Sequence, residues 1–500
     1  MFIGGLDVGT TGCKLTVYDT SGLYISNSYV EYDVTRSNGE HEIDANIIFE
    51  SVCTVIKEIA KDYDLAAIGI TTFGESFVVV DKKGSVLFPT MLYTDPRGEE
   101  ECAVLCSEVG MNRLISILGV KPSSMYSLPK IMWLKNHHPE VYQNIDKIML
   151  IEDFIVYKLT GKAQIDYSLA ARTMGFDIIN KCWSAEVFDA AGVDVRLMSK
   201  LVSTGSIAGC ILPEMAEKLG LSSETKIING CHDQVASAIG AGVFETGQAV
   251  DGTGTVECVT PVFNTIPNNE QLYEEGYAVV PYIFDGTYVC YAFSFTGGSA
   301  LKWYRDNFAK YEARLVKNLK KNIFAVLDSH MPNEPTNLLV LPHFSGAATP
   351  YMDYRAKAAI LGLTLEHTGL DIYRALIEGV TFEILLNLEH LARFGICPQN
   401  LYATGGGAAS PAWLQIKADI LNRPITALAA KEVGTCGTCM LTAAAIGTVV
   451  DMHEAKEKFV KYEQTYKPIE KNAKIYARTY EAYKQIYKAI KPIVEGLTYE

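Results

Sequence analysis

The sequence predicts an α/β protein with two domains, and three observations support this prediction. The chain has 500 residues, of which 48% are apolar and 20% are charged, so it is long enough for two cores. Short β-like runs alternate with helical stretches along the chain, which is typical of mostly buried sheets covered by helices. Two segments with the same order of strand, acidic residue, Gly/Thr turn and strand lie about one domain apart, which indicates a duplicated domain.

The spacing of apolar residues locates the main elements. Apolar residues recur at intervals of three and four in Val52–Tyr63 and Asp371–Phe394, which predicts two helices. The predicted short strands are Ala66–Thr71, Lys147–Ile151, Lys226–Asn229 and Asn337–Pro342. The stretch His453–Tyr487 is rich in Lys, Glu, Tyr and Ala, which predicts a surface helix with an amphipathic face. Small residues at Ile239–Thr246 mark the boundary between a domain of residues 1–243 and a domain of residues 244–500.

Charge and cysteine content limit the classes of partner and compartment. The formal charge is −14 and no basic block stands out, so we expect neither nucleic acid nor a membrane as a partner. No apolar run reaches the roughly 18 residues of a membrane-spanning helix. Twelve irregularly spaced cysteines and an N-terminus without a signal pattern predict free thiols and a cytoplasmic location. Cys436 and Cys439 form a CxxC pair, but no second pair completes a zinc site.

The two similar turns have the residues of phosphate-binding loops. The strand Phe2–Leu6 runs into Asp7-Val8-Gly9-Thr10-Thr11-Gly12, and a second strand runs into Asp251-Gly252-Thr253-Gly254-Thr255. Glycine lets backbone N–H groups approach a phosphate, and threonine hydroxyls add donors. An ordinary hairpin is the alternative for each turn taken alone. The chain has no GxxxxGK[ST] motif, which excludes a P-loop, and no GxGxxG that opens a helix, so a dinucleotide fold is unsupported.

A third glycine cluster, Gly405-Gly406-Gly407-Ala408, lies between a predicted strand at Asn400–Thr404 and a predicted helix at Pro411–Leu421. Three consecutive glycines let a flat ring or a phosphate lie against the backbone. A flexible turn is the alternative interpretation of this cluster.

The segment Gly230-Cys231-His232-Asp233-Gln234 follows a predicted strand and precedes a helix of small residues. A carboxylate at the end of a strand suits a general base for a hydroxyl nucleophile. The pattern leaves two alternatives open: His232 as the base, or Asp233 as a helix N-cap.

Together these motifs resemble the FGGY family of carbohydrate kinases, and in particular its xylulose kinases. The first turn with Lys14 resembles the first phosphate motif, and Gly252–Thr255 resembles the second. Further matching segments are Tyr93–Arg97 (WxDxR in the family, with Tyr in place of Trp), Leu159–Gly161, Asp166–Thr173, Ala358–Glu378, and Gly405–Ala408 followed by Trp413, Ala418, Asp419 and Pro424. Leu376 departs from the small or β-branched residue usual at its position.

The resemblance implies two actin-like (ribonuclease H-like) ATPase domains with a cleft between them. The first domain would bind the sugar and carry the first phosphate motif, and the second would bind ATP. The implied reaction is Mg²⁺- and ATP-dependent phosphorylation of a hydroxyl of a small sugar, first a ketopentose such as xylulose. Glycerol, erythritol, another polyol or a sugar acid are alternative substrates, and a non-catalytic actin-like nucleotide-binding protein is the alternative of another class. The oligomeric state is open, and includes a homodimer.

The resemblance also assigns roles to residues. Asp233 matches the catalytic base, and Asp7 matches the carboxylate near the metal. The positions matched to sugar binding are Gly74, Glu75, Asp95 and Gln234. The positions matched to ATP binding are Thr10, Thr11, Gly12, Lys14, Gly252, Thr253, Gly254, Thr255, Gly405, Gly406, Gly407 and Ala408. Gly74-Glu75 falls where glycerol kinases have Arg-Glu and xylulose kinases have Met-His, so the pair leaves the sugar open, and Tyr126 lies near a family pocket tyrosine.

Overall fold

The structure is a computed structural model that describes residues 1–37, 39–430 and 432–497. The chain divides into two compact units. Unit 1 consists of residues 1–242, 278–289 and 432–460, and unit 2 consists of residues 243–277, 290–431 and 461–500. Two later segments of the chain therefore return to unit 1, whereas the sequence analysis assigned both to the second domain. The boundary between residues 243 and 244 stays a prediction.

The strands are numbered in chain order. They are β1 (Phe2–Val8), β2 (Gly12–Asp19), β3 (Tyr24–Glu31), β4 (Thr35–Ser37), β5 (Glu40–Ile43), β6 (Leu65–Thr72), β7 (Phe77–Val80), β8 (Thr90–Met91), β9 (Lys147–Leu150), β10 (Gln164–Asp166), β11 (Phe176–Asp177), β12 (Cys182–Trp183), β13 (Lys200–Val202), β14 (Ile207–Cys210), β15 (Lys226–His232), β16 (Gln248–Thr253), β17 (Glu257–Phe263), β18 (Val279–Pro281), β19 (Tyr288–Cys290), β20 (Ala292–Ser294), β21 (Leu339–Leu341), β22 (Ala359–Leu361), β23 (Asn400–Gly405), β24 (Ile425–Leu428) and β25 (Tyr462–Tyr466).

The helices are numbered in the same way. They are α1 (Ala45–Ala60), α2 (Glu99–Val109), α3 (Met111–Leu118), α4 (Ser127–His137), α5 (Pro139–Tyr142), α6 (Ile151–Thr160), α7 (Tyr167–Ala170), α8 (Ala185–Ala191), α9 (Pro213–Leu219), α10 (Asp233–Gly240), α11 (Glu270–Glu274), α12 (Gly298–Phe308), α13 (Lys310–Asn318), α14 (Ile323–His330), α15 (Gly369–Arg393), α16 (Pro411–Leu421), α17 (Val433–Ala445), α18 (Met452–Phe459) and α19 (Glu470–Glu495). None of the helices described for this chain combines the length and the apolar character that crossing a membrane requires.

The main sheet of unit 1 has six strands in the order β14-β15-β6-β1-β2-β3. The three central strands β15, β6 and β1 are parallel, and β14, β2 and β3 are antiparallel to their neighbours. Helix α1 packs against β2 and β3, and helix α17 packs against β1 and β6. The central strands are almost completely buried, as is usual for parallel strands flanked by helices, and this explains their continuous apolar sequence.

The sheet of unit 2 repeats this arrangement. Strand β16 is antiparallel to β17 and parallel to β23, β23 is parallel to β24, and β24 is antiparallel to β25. Strand β20 is antiparallel to β17 and takes the place that β3 has in unit 1. The same sequence of pairings in both units confirms the α/β fold class and agrees with the predicted duplication.

The C-terminal region differs from the single surface helix predicted for His453–Tyr487. It forms α18, the edge strand β25 and the long helix α19. Strand β25 pairs with β24, and three of its five residues are Tyr or Thr, which are typical of strands. One side of helix α19 is buried, and its tyrosines lie there against carboxylates. The Tyr476 hydroxyl donates to Glu378 (2.7 Å), and the Tyr480 hydroxyl donates to Glu389 (2.9 Å).

Candidate active site

The candidate sugar site lies where three parallel strands of unit 1 end. Asp7 is the residue before the last in β1, and it pairs in register with Thr71 of β6. Glu75 follows the end of β6, and Asp233 follows the end of β15. In open α/β sheets, ligands bind at the carboxyl ends of the strands. The topology therefore brings together three of the carboxylates that the sequence analysis selected.

Asp233 is the first residue of helix α10, and 38% of its side chain is exposed. The N-cap residue is His232, so the alternative of Asp233 as the helix N-cap is wrong. The surrounding protein limits hydration of the Asp233 carboxyl group, and the negative charges of Asp7 and Glu75 add to this effect, so its pKa rises to about 7. A carboxyl group that titrates near neutral pH and is open to solvent can accept a proton from a substrate hydroxyl.

Helix α10 is held in place by very close contact with α17. A Cβ atom added at Gly240 would lie 1.9 Å from the Val433 carbonyl oxygen, and one added at Gly437 would lie 2.1 Å from the Ala236 carbonyl oxygen. Only glycine permits this approach of the two backbones. The contact fixes the helix whose first residue is Asp233.

His232 is buried, and its Nδ1 atom lies 3.3 Å from Asp233 Oδ1. Burial lowers the pKa of the ring well below its usual value, and the positive charge of Arg172 lowers it further. The backbone N–H of His232 donates to Ser168 Oγ at 2.9 Å. A ring with so low a proton affinity is a weak base, which favours Asp233 over His232 for that role.

Glu75 is 5% exposed and forms a buried ion pair with Arg172. Arg172 Nε donates to Glu75 Oε1 at 2.6 Å, and Nη2 contacts the same oxygen. Glu75 is therefore not a surface charge of its loop. Both contacts with Arg172 are made by Oε1, so Oε2 is the carboxylate oxygen that can accept from a ligand hydroxyl.

The backbone at this site is constrained. Glu75 has a φ of 64°, which a non-glycine residue rarely adopts, and its carbonyl accepts from Ser127 Oγ at 2.6 Å. A Cβ atom at Gly74 would lie 2.9 Å from Arg172 Cγ, so the guanidinium stem occupies the space that a side chain at position 74 would need. The Arg172 guanidinium lies 5.1 Å from the centre of the Tyr126 ring. Gly74 is thus required by Arg172, and Tyr126 lies beside the same group.

Asp95 is placed differently from the other predicted sugar contacts. It is 2% exposed, and its carboxylate accepts from Arg97 Nε (2.8 Å) and from the backbone N–H of His41 (2.7 Å). Burial would raise the pKa of Asp95, but these hydrogen bonds outweigh it and hold the pKa below its usual value. Direct contact of Asp95 with a sugar stays a prediction, and this geometry does not support it. Gln234, the second residue of α10, is half-buried beside Asp233.

The first Gly/Thr turn joins β1 to β2, and Thr10 and Thr11 are accessible there. Lys14 faces Asp7 across the hairpin, and its Nζ lies 2.7 Å from Glu432 Oε1. Burial raises the pKa of Asp7 to about 6, with Lys14 opposing the rise and Glu432 adding to it. Gly12 is buried.

The described residues around Asp7 suit a Mg²⁺ ion that binds together with a nucleotide, and they do not form a metal site made of protein ligands alone. Within residues 1–37, 39–430 and 432–497, no group of three His, Cys, Asp or Glu side chains could hold a metal ion. Mg²⁺ bound with a nucleotide needs only one or two carboxylates, because phosphate oxygens and waters supply the other ligands. Asp7 is a suitable carboxylate of this kind.

Unit 2 contains a cavity of about 640 Å³ at the carboxyl ends of β16 and β23. Thr253 and Gly405 pair in register there, so the second Gly/Thr turn and the third glycine cluster lie side by side. The lining residues are Gly254, Thr255, Gly298, Leu301, Lys302, Asn322, Phe324, Ala325, Asp328, Ser329, Tyr373, Gly406, Gly407, Ala409, Ser410, Pro411, Ala412 and Trp413. The volume and the glycine-rich wall suit a nucleotide.

The Thr253 side chain does not face this cavity. It is 1% exposed, and its Oγ1 accepts from Lys417 Nζ at 2.7 Å. The hydroxyl contact with phosphate expected for Thr253 is therefore unsupported, whereas Gly254 and Thr255 are exposed. Gly252 and Ala408 are half-buried and Gly405 is exposed, next to the residues that line the cavity.

Several residues near these sites were not selected from the sequence. They are Arg172, Tyr93, Glu432, Lys417 and Glu257. Burial raises the pKa of Tyr93, and the nearby negative charges of Glu75 and Asp233 raise it further. Each of these residues contacts partners that are distant in the sequence, so no local motif indicates its role. Tyr93 and Arg172 do lie inside segments that resemble the family.

The CxxC pair has a packing role. Cys436 and Cys439 lie in helix α17 and are completely buried. Burial raises the pKa of the Cys436 thiol to about 12 and that of Cys439 well above its usual value. All twelve cysteines of the chain are free thiols in the structure.

Comparison with known proteins gives a consistent result. The models of the N-terminal and C-terminal domains of the FGGY family of carbohydrate kinases match residues 2–240 and 261–446. The xylulose kinase of Staphylococcus xylosus is 27% identical, over 97% of this chain and 99% of that protein. Among solved structures, xylulose kinase and gluconate kinase from Lactobacillus acidophilus are each 25% identical with a TM-score of 0.89; both cover 99% of this chain, and the matches span 100% and 99% of those chains.

These matches define the class of the protein as a phosphotransferase that acts on carbohydrates. The chain belongs to the FGGY family of carbohydrate kinases. It is a sugar kinase, and kinases of this family use ATP. The alternative of a non-catalytic nucleotide-binding protein is thereby set aside.

Proposed function

We propose that this kinase phosphorylates a hydroxyl of a small neutral sugar, most closely a ketopentose such as xylulose, with Asp233 as the base. The observation that carries this proposal is the accessible Asp233 carboxyl group, with a pKa of about 7, beside the Glu75–Arg172 pair. Similarity to xylulose kinases over almost the whole chain supports the choice of sugar. Glycerol, erythritol and sugar acids are the competing substrates.

The charges of the site favour a neutral substrate over a sugar acid. Asp7, Glu75 and Asp233 each bring a carboxyl group to the strand ends, and the guanidinium of Arg172 is already bonded to Glu75. A substrate carboxylate would therefore meet like charges without a cation of its own. A neutral polyol can instead donate hydroxyl hydrogens to Glu75 Oε2 and to Asp233.

The residues divide the work of the reaction. Glu75 accepts a hydrogen bond from one substrate hydroxyl, and Arg172 holds Glu75 in the required orientation. Asp233 accepts the proton of the reacting hydroxyl as its oxygen bonds to the γ-phosphorus, and the bond between that phosphorus and the β,γ-bridging oxygen breaks to release ADP. In phosphoryl transfer, a protein contributes mainly positioning and electrostatic stabilisation.

The two Gly/Thr turns and the third glycine cluster are the proposed nucleotide contacts. Thr255 and Gly406 are exposed, and their backbone N–H groups are the proposed donors to phosphate oxygens, whereas the N–H of Gly254 donates to the Val256 carbonyl at 2.9 Å. Thr10 and Thr11 are the corresponding contacts in unit 1. Mg²⁺, when bound, neutralises phosphate charge, and Asp7 is the residue that would hold it.

A coupled assay of ADP release over a substrate panel tests the proposal. The panel contains ketopentoses, glycerol, erythritol and the aldonate gluconate, and kcat/KM is compared across it. We expect a ketopentose to give the highest value. Highest kcat/KM with gluconate would contradict the charge argument, and the isosteric variant Asp233→Asn is the control that assigns ADP release to this site.

A further inference from the structure

One ammonium group is buried directly beneath the second Gly/Thr turn. Lys417, on α16, places its Nζ 2.5 Å from Asp251 Oδ2, 2.7 Å from Thr253 Oγ1 and 2.8 Å from Glu257 Oε1. All four side chains come from different positions along β16, β17 and α16, and each residue is at most 1% exposed. A lysine ammonium has only donors; here it donates to Asp251 and Thr253, and Glu257 lies within ion-pair distance of the same group.

We propose that Lys417 is a positioning residue for the nucleotide: it neutralises Asp251 and fixes Thr253, so that the turn of residues 252–255 can accept a phosphate chain. This inference rests on the proposed nucleotide site of unit 2. Lys417 is buried and touches no ligand, so it acts through the turn that it holds.

The charge balance gives the first argument. Asp251 is the last residue before the glycines of the turn, and its carboxylate is completely buried. A lone buried carboxylate at this position would repel each phosphate that approaches the turn. Lys417 supplies one positive charge for it, and burial raises the pKa of Glu257, which favours the neutral form of that second carboxyl group. Lys417 therefore balances the negative charge of Asp251 beneath the phosphate site.

The geometry gives the second argument. Lys417 lies on the helix whose first residues line the nucleotide cavity, and its Nζ is 5.6 Å from the centre of the Trp413 ring. Thr253 also contacts the third glycine cluster, because a Cβ atom added at Gly407 would lie 2.7 Å from Thr253 Cβ. One buried cation therefore connects the phosphate turn with the helix and glycine cluster that form the wall of the same cavity.

A purely structural ion pair and a phosphate-positioning residue predict different binding data. Loss of structure would weaken every ligand of the cavity in proportion. Loss of charge neutralisation would weaken ligands according to the number of their phosphate charges. The comparison of adenosine with ADP therefore separates the two roles.

The experiment is isothermal titration of the full-length enzyme with adenosine and with ADP, with and without Mg²⁺. For Lys417→Met we expect a loss of about tenfold or more in ADP affinity, and a change of about twofold or less for adenosine. The neutral pair Asp251→Asn/Lys417→Met should recover most of the ADP affinity, because it removes the uncompensated charge. Glu257→Gln, which keeps the shape of the side chain and leaves the Asp251–Lys417 pair in place, is the matched control and should stay within about twofold of wild type.

Three results would overturn the inference. They are equal losses for adenosine and ADP in Lys417→Met, no recovery in the folded double variant, or a loss in Glu257→Gln as large as that in Lys417→Met. If Lys417→Met does not fold, Thr253→Val removes the hydroxyl acceptor and keeps the charges. We expect it to weaken ADP but not adenosine, and equal binding of ADP by this variant and wild type would count against the positioning role. Wild-type enzyme that binds neither ligand would instead refute the nucleotide site itself.

Discussion

The titration of Asp233 should determine how activity depends on pH. Burial and the charges of Asp7 and Glu75 place its pKa at about 7, and the base must be ionised to accept a proton. Because the pKa is raised, the active form is lost as pH falls through about 7. About nine-tenths of Asp233 is ionised at pH 8 and about one-tenth at pH 6, so kcat/KM should fall roughly tenfold between these values.

The assay is the initial rate of ADP release against pH, at sugar and MgATP concentrations well below KM, where kcat/KM describes the free enzyme. Asp233→Asn should lower activity by about 10²–10⁴-fold and remove the acidic limb, which is the fall of kcat/KM below about pH 7. Glu75→Gln removes one of the carboxylates that raise the pKa of Asp233, so the limb should move to lower pH. A limb near pH 4, or an unchanged limb in Asp233→Asn, would refute the assignment of Asp233 as the titrating base.

Three further predictions concern the metal, the sugar and the stability of unit 2. Asp7→Asn should raise the Mg²⁺ concentration needed for half-maximal activity, and an unchanged Mg²⁺ titration would exclude Asp7 as the metal carboxylate. Glu75→Gln should raise the KM for sugar about tenfold without changing the KM for ATP. Asp95→Asn should mainly lower the Tm. A raised sugar KM in Asp95→Asn with only a lower Tm in Glu75→Gln would contradict the roles given to the two residues. Tyr476→Phe should lower the free energy of unfolding by about 1–3 kcal/mol, because buried Glu378 loses a hydrogen bond; chemical denaturation measures this, and no loss would show that the bond is not stabilising.

Local patterns were sufficient to predict the parts of the fold that depend on neighbouring residues. The two hairpin turns, the helix Pro411–Leu421 and the strand end before Asp233 were all predictable, because glycine, threonine and apolar spacing specify them within a few residues. The predicted helix at Val52–Tyr63 is real but spans Ala45–Ala60, since the Asp44 side chain caps an earlier start.

Long-range partners could not be predicted in this way. Lys417 and Asp251 are 166 positions apart, and Arg172 and Glu75 are 97 positions apart. Such pairs depend on the order of strands in the sheet, which a single sequence does not specify. The strand Tyr462–Tyr466 falls inside a predicted helix although its Tyr and Thr residues favour a strand, because five residues between two helical stretches give only a short pattern.

The return of residues 432–460 to unit 1 has a consequence for biosynthesis. Helix α17 covers one face of the strands β1 and β6, yet it begins at Val433, about 200 residues after the last strand of that sheet ends at His232. At about 5–20 residues per second, the ribosome needs roughly 10–40 s to supply it. During that interval the nascent sheet exposes an apolar face, so translation pauses or chaperone depletion should reduce the yield of active enzyme, and residues 1–242 expressed alone should aggregate.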